Sequence, residues 1–242
     1  MKIVVTLLAM SMIAVVRAQD FFGMIQIDGQ LWMDQSEITN IEYREFLEAM
    51  GDRRPALEQD TTVWTEELLA LYYFDHPAYD DYPIVGVTHE QALRFCEWRT
   101  AFYNEHHDQK VRFRLPTLEE WTRVAFCSAD SNDLEFAGKW SNPYDLDRKR
   151  KKPLFNFNFW QQDFGMHGID GAFFTKDVDH YPVDNQGFSD LSGNVAEMVD
   201  QKGIAVGGSW RHSAEEATRG KTLGYEGAEN WLGFRCVVEL ID

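Results

Sequence analysis

The octapeptide Arg114-Leu115-Pro116-Thr117-Leu118-Glu119-Glu120-Trp121 decides how this chain is read. Thr117 and Glu120 stand three apart, the spacing of a capping box, in which a hydroxyl and a carboxylate satisfy the unpaired amides of a helix start. Behind that start Leu118, Trp121 and Ala125 fall on one face and are expected to point inward. The same device occurs twice upstream. Thr39-Asn40-Ile41-Glu42 leads into Tyr43, Phe46, Leu47 and Met50 at helical spacing, with Gly51 as a terminator. Thr88-His89-Glu90-Gln91 leads into Ala92, Phe95, Cys96 and Phe102 on one broad face. Past residue 128 the character changes. Residues 129–195 are rich in Asn, Asp, Gly, Pro and aromatics and lack sustained periodicity, and so long an irregular stretch needs support from metal or packed aromatics. Short strands are expected at Ile204–Val206 and Phe234–Leu240. The pattern is α+β with few regular elements. Gly207-Gly208-Ser209 lacks the Lys and spacing of a phosphate loop.

Composition bounds the function. The chain has 242 residues, 44% hydrophobic and 14% aromatic, enough for one packed domain. Its net charge of -17 argues against nucleic acid or an anionic membrane surface as partner. The basic run Arg148-Lys149-Arg150-Lys151-Lys152 reads as a solvated loop. Lys2, the apolar Ile3 to Val16 and the Val16-Arg17-Ala18 end read as a signal peptide over residues 1–18, which places the mature chain, 19–242, outside the cytoplasm as a single domain. No later segment is apolar enough to span a bilayer. Three cysteines, Cys96, Cys127 and Cys236, allow one internal bridge in an oxidising compartment.

Seven segments then line up in order. They are Glu37-Ile38-Thr39-Asn40 with Tyr43 and Phe46; Tyr82 to Thr88; Phe95-Cys96-Glu97-Trp98; Arg114 to Trp121; Leu191 to Glu197; Val206-Gly207-Gly208-Ser209-Trp210; and Leu232-Gly233-Phe234-Arg235-Cys236. Together they resemble the formylglycine-generating-enzyme, or sulfatase-modifying-factor, family over roughly residues 24 to 240. The resemblance implies a variant of the C-type-lectin fold, poor in regular elements. It implies a bridge between Cys96 and Cys236 and leaves Cys127 as a buried thiol. It also implies structural calcium. At one site Asp190 and Glu197 give side-chain oxygens and Gly193 and Val195 give carbonyls. At a second, Asn158 and Asp170 give side chains and Phe159 and Ala172 give carbonyls. Hard cations take such oxygen ligands.

The resemblance stops at the redox chemistry. Formylglycine-generating enzymes hold copper with two Cys thiolates, five residues apart, shortly after Gly-Gly-Ser-Trp/Tyr; soft thiolates select Cu(I). Here those positions are His212 and Ala217, so no copper is expected, and Ala196 replaces the family's Trp in the calcium loop. His106-His107 reads as solvated, and His76, His89, His167 and His180 are expected in loops without ligand spacing. By analogy of fold, a binding pocket is expected at Ser209, Trp210, Arg211 and His212, with Glu215, Arg219, Tyr225 and Trp231 able to line it; the alternative reading puts Trp210 and Trp231 in the core, and it is the preferred one for Trp210. Family members without the copper pair include accessory components of bacterial secretion and gliding machineries and retroelement-diversified ligand-binding proteins. The resemblance therefore implies an exported, non-catalytic module for a protein or small ligand. The alternative is an enzyme of the same family with a different metal-dependent oxidative chemistry, as in members acting in siderophore maturation.

Overall fold

The computed structural model describes residues 21–127, 172–213, 216–217 and 220–241. All three capping boxes form. The first opens α1 (Asn40–Met50): the Glu42 amide donates to the Thr39 hydroxyl and the Thr39 amide to the Glu42 carboxylate. Gly51 ends that helix at φ +52°, a backbone only glycine adopts freely. A short α2 (Glu67–Tyr72) and 3-10 turns at Gly51–Ala56, Thr61–Val63 and Pro77–Tyr79 occupy the connection that follows. Thr88 and Gln91 cap α3 (His89–His106), and Thr117 and Glu120 cap α4 (Leu118–Cys127).

The inward faces hold, with one correction. Tyr43, Phe46, Leu47, Ala92, Phe95, Cys96, Trp121 and Ala125 are buried. Phe102 is not: it is 53% exposed on the outer side of α3, where it packs against Trp98 and His106. His89 also departs from its expected loop. It is the first residue of α3, buried, with Nε2 3.0 Å from the Val199 carbonyl. His106 and His107 are exposed at the end of α3 as expected.

Two small sheets carry the helices. β1 (Met24–Asp28), β2 (Leu31–Asp34) and β3 (Val111–Arg114) belong to the first, and β4 (Ala196–Met198), β5 (Ile204–Val206), β6 (Leu223–Gly224) and β7 (Leu232–Gly233) form the second. β8 (Val237–Leu240) returns to the first sheet, whose order is β1-β2-β8-β3, all antiparallel. The second runs β6-β5-β4-β7, with β4 and β7 parallel. The strand expected at Ile204–Val206 is present, while the one expected from Phe234 begins only at Val237. Phe234 and Cys236 bond instead to the loop after β2 and to the end of β2: the Phe234 carbonyl accepts from the Ile38 amide, and the Cys236 amide donates to the Asp34 carboxylate.

Between the layers lies an aromatic core in which Tyr43, Phe46, Phe95 and Phe234 meet at ring-centroid distances of 5.2–5.9 Å. A second buried cluster gathers Met33, Trp121, Phe188, Val206 and Val237. Residues 172–195 contain no helix or strand, in keeping with the irregular stretch expected there. Among the described residues no helix is long and apolar enough to cross a membrane. The expected signal peptide, the basic run 148–152, His167, Asn158, Phe159, Asp170, Glu215 and Arg219 lie outside the described residues, as does the side chain of Cys127.

Candidate functional site

Two linked loops carry the chemistry. The first is the expected calcium loop, Asp190 to Glu197. Three of its residues have positive φ: Asp190 at +52°, Gly193 at +93° and Asn194 at +56°. Asp and Asn tolerate that region better than most residues, and such conformations persist where surrounding bonds over-determine them. Here the Gly193 amide donates to the Gly207 carbonyl, and the Asn194 side chain both accepts from the Lys176 amide at 2.9 Å and donates to the Lys176 carbonyl at 3.2 Å.

At the floor of this loop sits a charge cluster. Arg235 and Glu197 form a bidentate pair with both side chains fully buried. The Arg235 guanidinium has five N–H donors, and all are placed: Nε and one Nη2 hydrogen on Glu197, the other on the Ser189 carbonyl, and the two on Nη1 at the Asp34 and Gln35 carbonyls. Trp121 Nε1 donates to Glu197 at 2.7 Å as well. Two further carboxylates are buried beside this pair. Both oxygens of Asp190 and Oε2 of Glu37 have no hydrogen-bond partner. Burial pushes the Asp190 carboxyl up to about 8, against the pull of Arg235. Burial, then repulsion from Asp190, holds Glu37 well above the usual carboxylate range.

Of the expected calcium ligands, Asp190 fits a cation: a buried, orphaned carboxylate on a curled backbone. Glu197 has its oxygens engaged by Arg235 and Trp121. Ala172, from the second expected set, is buried. Among the described residues no three His, Cys, Asp or Glu side chains converge as a ready metal site.

The second loop follows β5 and is tied to the first, since the Trp210 amide donates to the Asn194 carbonyl at 2.9 Å. Ser209 is fully buried, and its hydroxyl lies 2.7 Å from His212 Nδ1 while accepting from the Arg211 amide. Burial lowers the His212 pKa, so the ring is neutral at neutral pH, and it meets Trp231 edge-on at 4.7 Å. Trp210 stacks on Trp64 at 6.0 Å and donates from Nε1 to the Asn230 carbonyl. Arg211 reaches the Asn230 side chain at 3.1 Å and lies over the Trp210 ring. Trp210 and Trp231 are half-buried, neither fully core nor free, and Arg211 is exposed. Tyr225 is fixed through a different element, its amide donating to the Gly203 carbonyl.

Ala217, at the second thiolate position, is buried against Gly208. A Cβ on Gly208 would come within 2.2 Å of the Ala217 Cβ. The two backbones are in contact, and position 217 offers only a methyl group. At the expected disulfide the structure brings Cys96 and Cys236 together, buried, with Sγ atoms 3.5 Å apart as free thiols. A concavity of about 350 Å³ opens elsewhere, between Phe21, Phe22, Phe102, Tyr103, Phe113 and Arg99.

Sequence reasoning passed over Glu37 and Arg235. Both stand in segments quoted for the family resemblance, Glu37 two residues before a capping Thr and Arg235 beside a Cys. The signal was available for Arg235: a lone Arg between Phe234 and Cys236, at the edge of an apolar strand, has to find an acid partner indoors.

Residues 23–240 match the family described as the sulfatase-modifying factor enzyme 1-like domain. No curated protein sequence matches the chain. Among solved structures, PvdO from Pseudomonas aeruginosa superposes with a TM-score of 0.57 at 17% identity, over 87% of this chain and 80% of that one. CarF gives 0.54 at 19% identity, over 91% and 96%. Treponema denticola variable protein 1 gives 0.54 at 15% identity, over 90% and 91%. At such identities the likeness is one of fold.

Proposed function

The chain belongs to the sulfatase-modifying factor enzyme 1-like family, and from that membership we propose that it is an exported, non-catalytic binding or assembly module built on the family scaffold. One observation carries the reading. At the two positions where the resemblance calls for copper thiolates, Ala217 is packed methyl-to-backbone on Gly208 and His212 is committed to Ser209 and Trp231. What is left at that loop is Trp210, Arg211 and Trp231, the aromatic and guanidinium chemistry that dominates protein interfaces. The partner is a protein or small ligand outside the cytoplasm.

Structural calcium belongs to the same reading. Asp190, with the Gly193 and Val195 carbonyls, would hold the ion, and its chemistry there is to neutralise buried acid and brace an irregular loop. In the oxidising compartment Cys96 and Cys236 form the bridge.

The test is affinity capture from the native source with quantitative mass spectrometry, comparing the natural chain with an Arg211→Ala, Trp231→Ala double variant. A stoichiometric partner held by the first and lost by the second is expected. Turnover of a cysteine-containing sulfatase peptide to its aldehyde would overturn the reading.

A further inference from the structure

We propose that Glu37 is the second carboxylate of the cation site in the Asp190 loop, while Glu197 serves as the strut that holds Arg235. The inference rests on the calcium reading above and deepens it by assigning the ligands differently.

Charge and hydrogen-bond count separate the roles of the two glutamates. Four ionisable side chains meet in one buried place: Glu37, Asp190, Glu197 and Arg235, each 7% exposed or less. Glu197 and Arg235 neutralise each other. Every donor on Arg235 is spent, on Glu197 and on three carbonyls, so none remains for the other two acids. Three carboxylate oxygens of Glu37 and Asp190 are thus left unpartnered, and the two acids would carry a formal charge of minus two once ionised. Buried charges are paired or coordinate metals. One divalent cation supplies the charge and the ligation together.

Glu37 is also held in place for the task. The Asn194 side chain donates to its Oε1 at 3.2 Å, and the same Asn194 is bonded to Lys176 through both its amide atoms, so Oε1 is anchored and Oε2 is the atom left over. Burial raises both acids, and repulsion adds to it: Glu37 is pressed by Asp190, and Asp190 by Glu197, Asp177 and Asp179, against the pull of Arg235 on each. Among the described residues no three His, Cys, Asp or Glu side chains converge as metal ligands, so side chains alone would not fill the coordination sphere. Calcium completes its six to eight oxygens from carbonyls and water when acids are few.

The experiment is calorimetric titration of chelator-treated full chain with calcium chloride, on the natural protein and the Glu37→Gln, Glu37→Asp and Asp190→Asn variants, each first shown folded by circular dichroism. Glu37→Gln keeps an acceptor for Asn194 and should fold. Glu37→Asp keeps the charge and retracts the oxygens. The expected result is that one calcium per chain weakens tenfold or more in all three variants. Calcium binding that is unchanged in both Glu37 variants but lost in Asp190→Asn overturns the role of Glu37 and leaves the calcium reading standing. A natural chain that takes up no calcium overturns both.

Discussion

Arg235 and Glu197 face each other at 2.7 Å through two parallel hydrogen bonds, with no solvent reaching either side chain. Glu197 lies in β4 of the second sheet, and Arg235, in the link between β7 and β8, also donates to the Asp34 carbonyl at the end of β2 in the first, so the pair fastens the two sheets to each other. Trp121 Nε1 adds α4 to the same joint.

Breaking that joint from one side should be severe. Arg235→Met keeps volume but leaves Glu197 uncompensated beside two other buried acids, and removing one partner of a buried pair costs about 3–5 kcal/mol. Urea denaturation at neutral pH measures it. A loss below about 1 kcal/mol would contradict the assigned role.

Calcium and protons should compete to stabilise the Asp190 loop. Without calcium the folded Asp190 keeps its proton up to about pH 8, whereas the unfolded chain releases it near pH 4, so the stability this burial contributes is full below about pH 4 and drains as pH rises toward 8. Chelated protein should therefore melt higher at pH 5 than at pH 8, by about 5 °C or more. Calcium at a hundred times its Kd adds about 2.7 kcal/mol at pH 8 and flattens the profile. Chelated protein that is most stable at pH 8 would refute this.

Gly208→Ala should be among the most damaging single-methyl changes in the chain. Gly208 sits at φ +71°, and an added Cβ meets the Ala217 Cβ at 2.2 Å and its Cα at 2.6 Å. Backbone strain and overpacking together come to about 2–4 kcal/mol. Thermal and chemical denaturation give the number, and a neutral result would mean that the loop after β5 does not fold Ala217 back onto Gly208 as described.

The thiols give a fourth expectation. Cys96 and Cys236 sulfurs stand 3.5 Å apart across 140 residues of chain, and a bond of about 2.05 Å needs only a small approach. Burial holds the Cys236 thiol well above its usual range, so bridging belongs to folding rather than to the finished structure. With the export proposed above, protein recovered from its native source should show one titratable thiol in denaturant and three after reduction. Closing so long a loop stabilises by up to about 5 kcal/mol. Three thiols before reduction would argue against export.

Local signals in the sequence announced what is local in the structure. The capping boxes at Thr39, Thr88 and Thr117 carry their own hydrogen-bond partners three residues on, so the helices were readable from four letters each. Phe102 was misread because helical spacing gives a face, not the length over which that face stays covered. The connection from Gly51 to Thr88, with α2 and three 3-10 turns, has no periodicity to read. The family resemblance marks Asp190 as a candidate ligand, but Glu37 comes from 153 residues earlier, and only the folded chain buries the two carboxylates beside Arg235.

Metal analysis of the purified, unchelated protein decides whether this scaffold holds a structural ion in place of a redox centre. Calcium is expected at one or more ions per chain with copper and iron at background, because His212 and Ala217 stand where the resemblance calls for thiolates. Copper or iron at one per chain, lost in a folded His212→Ala variant, would contradict it.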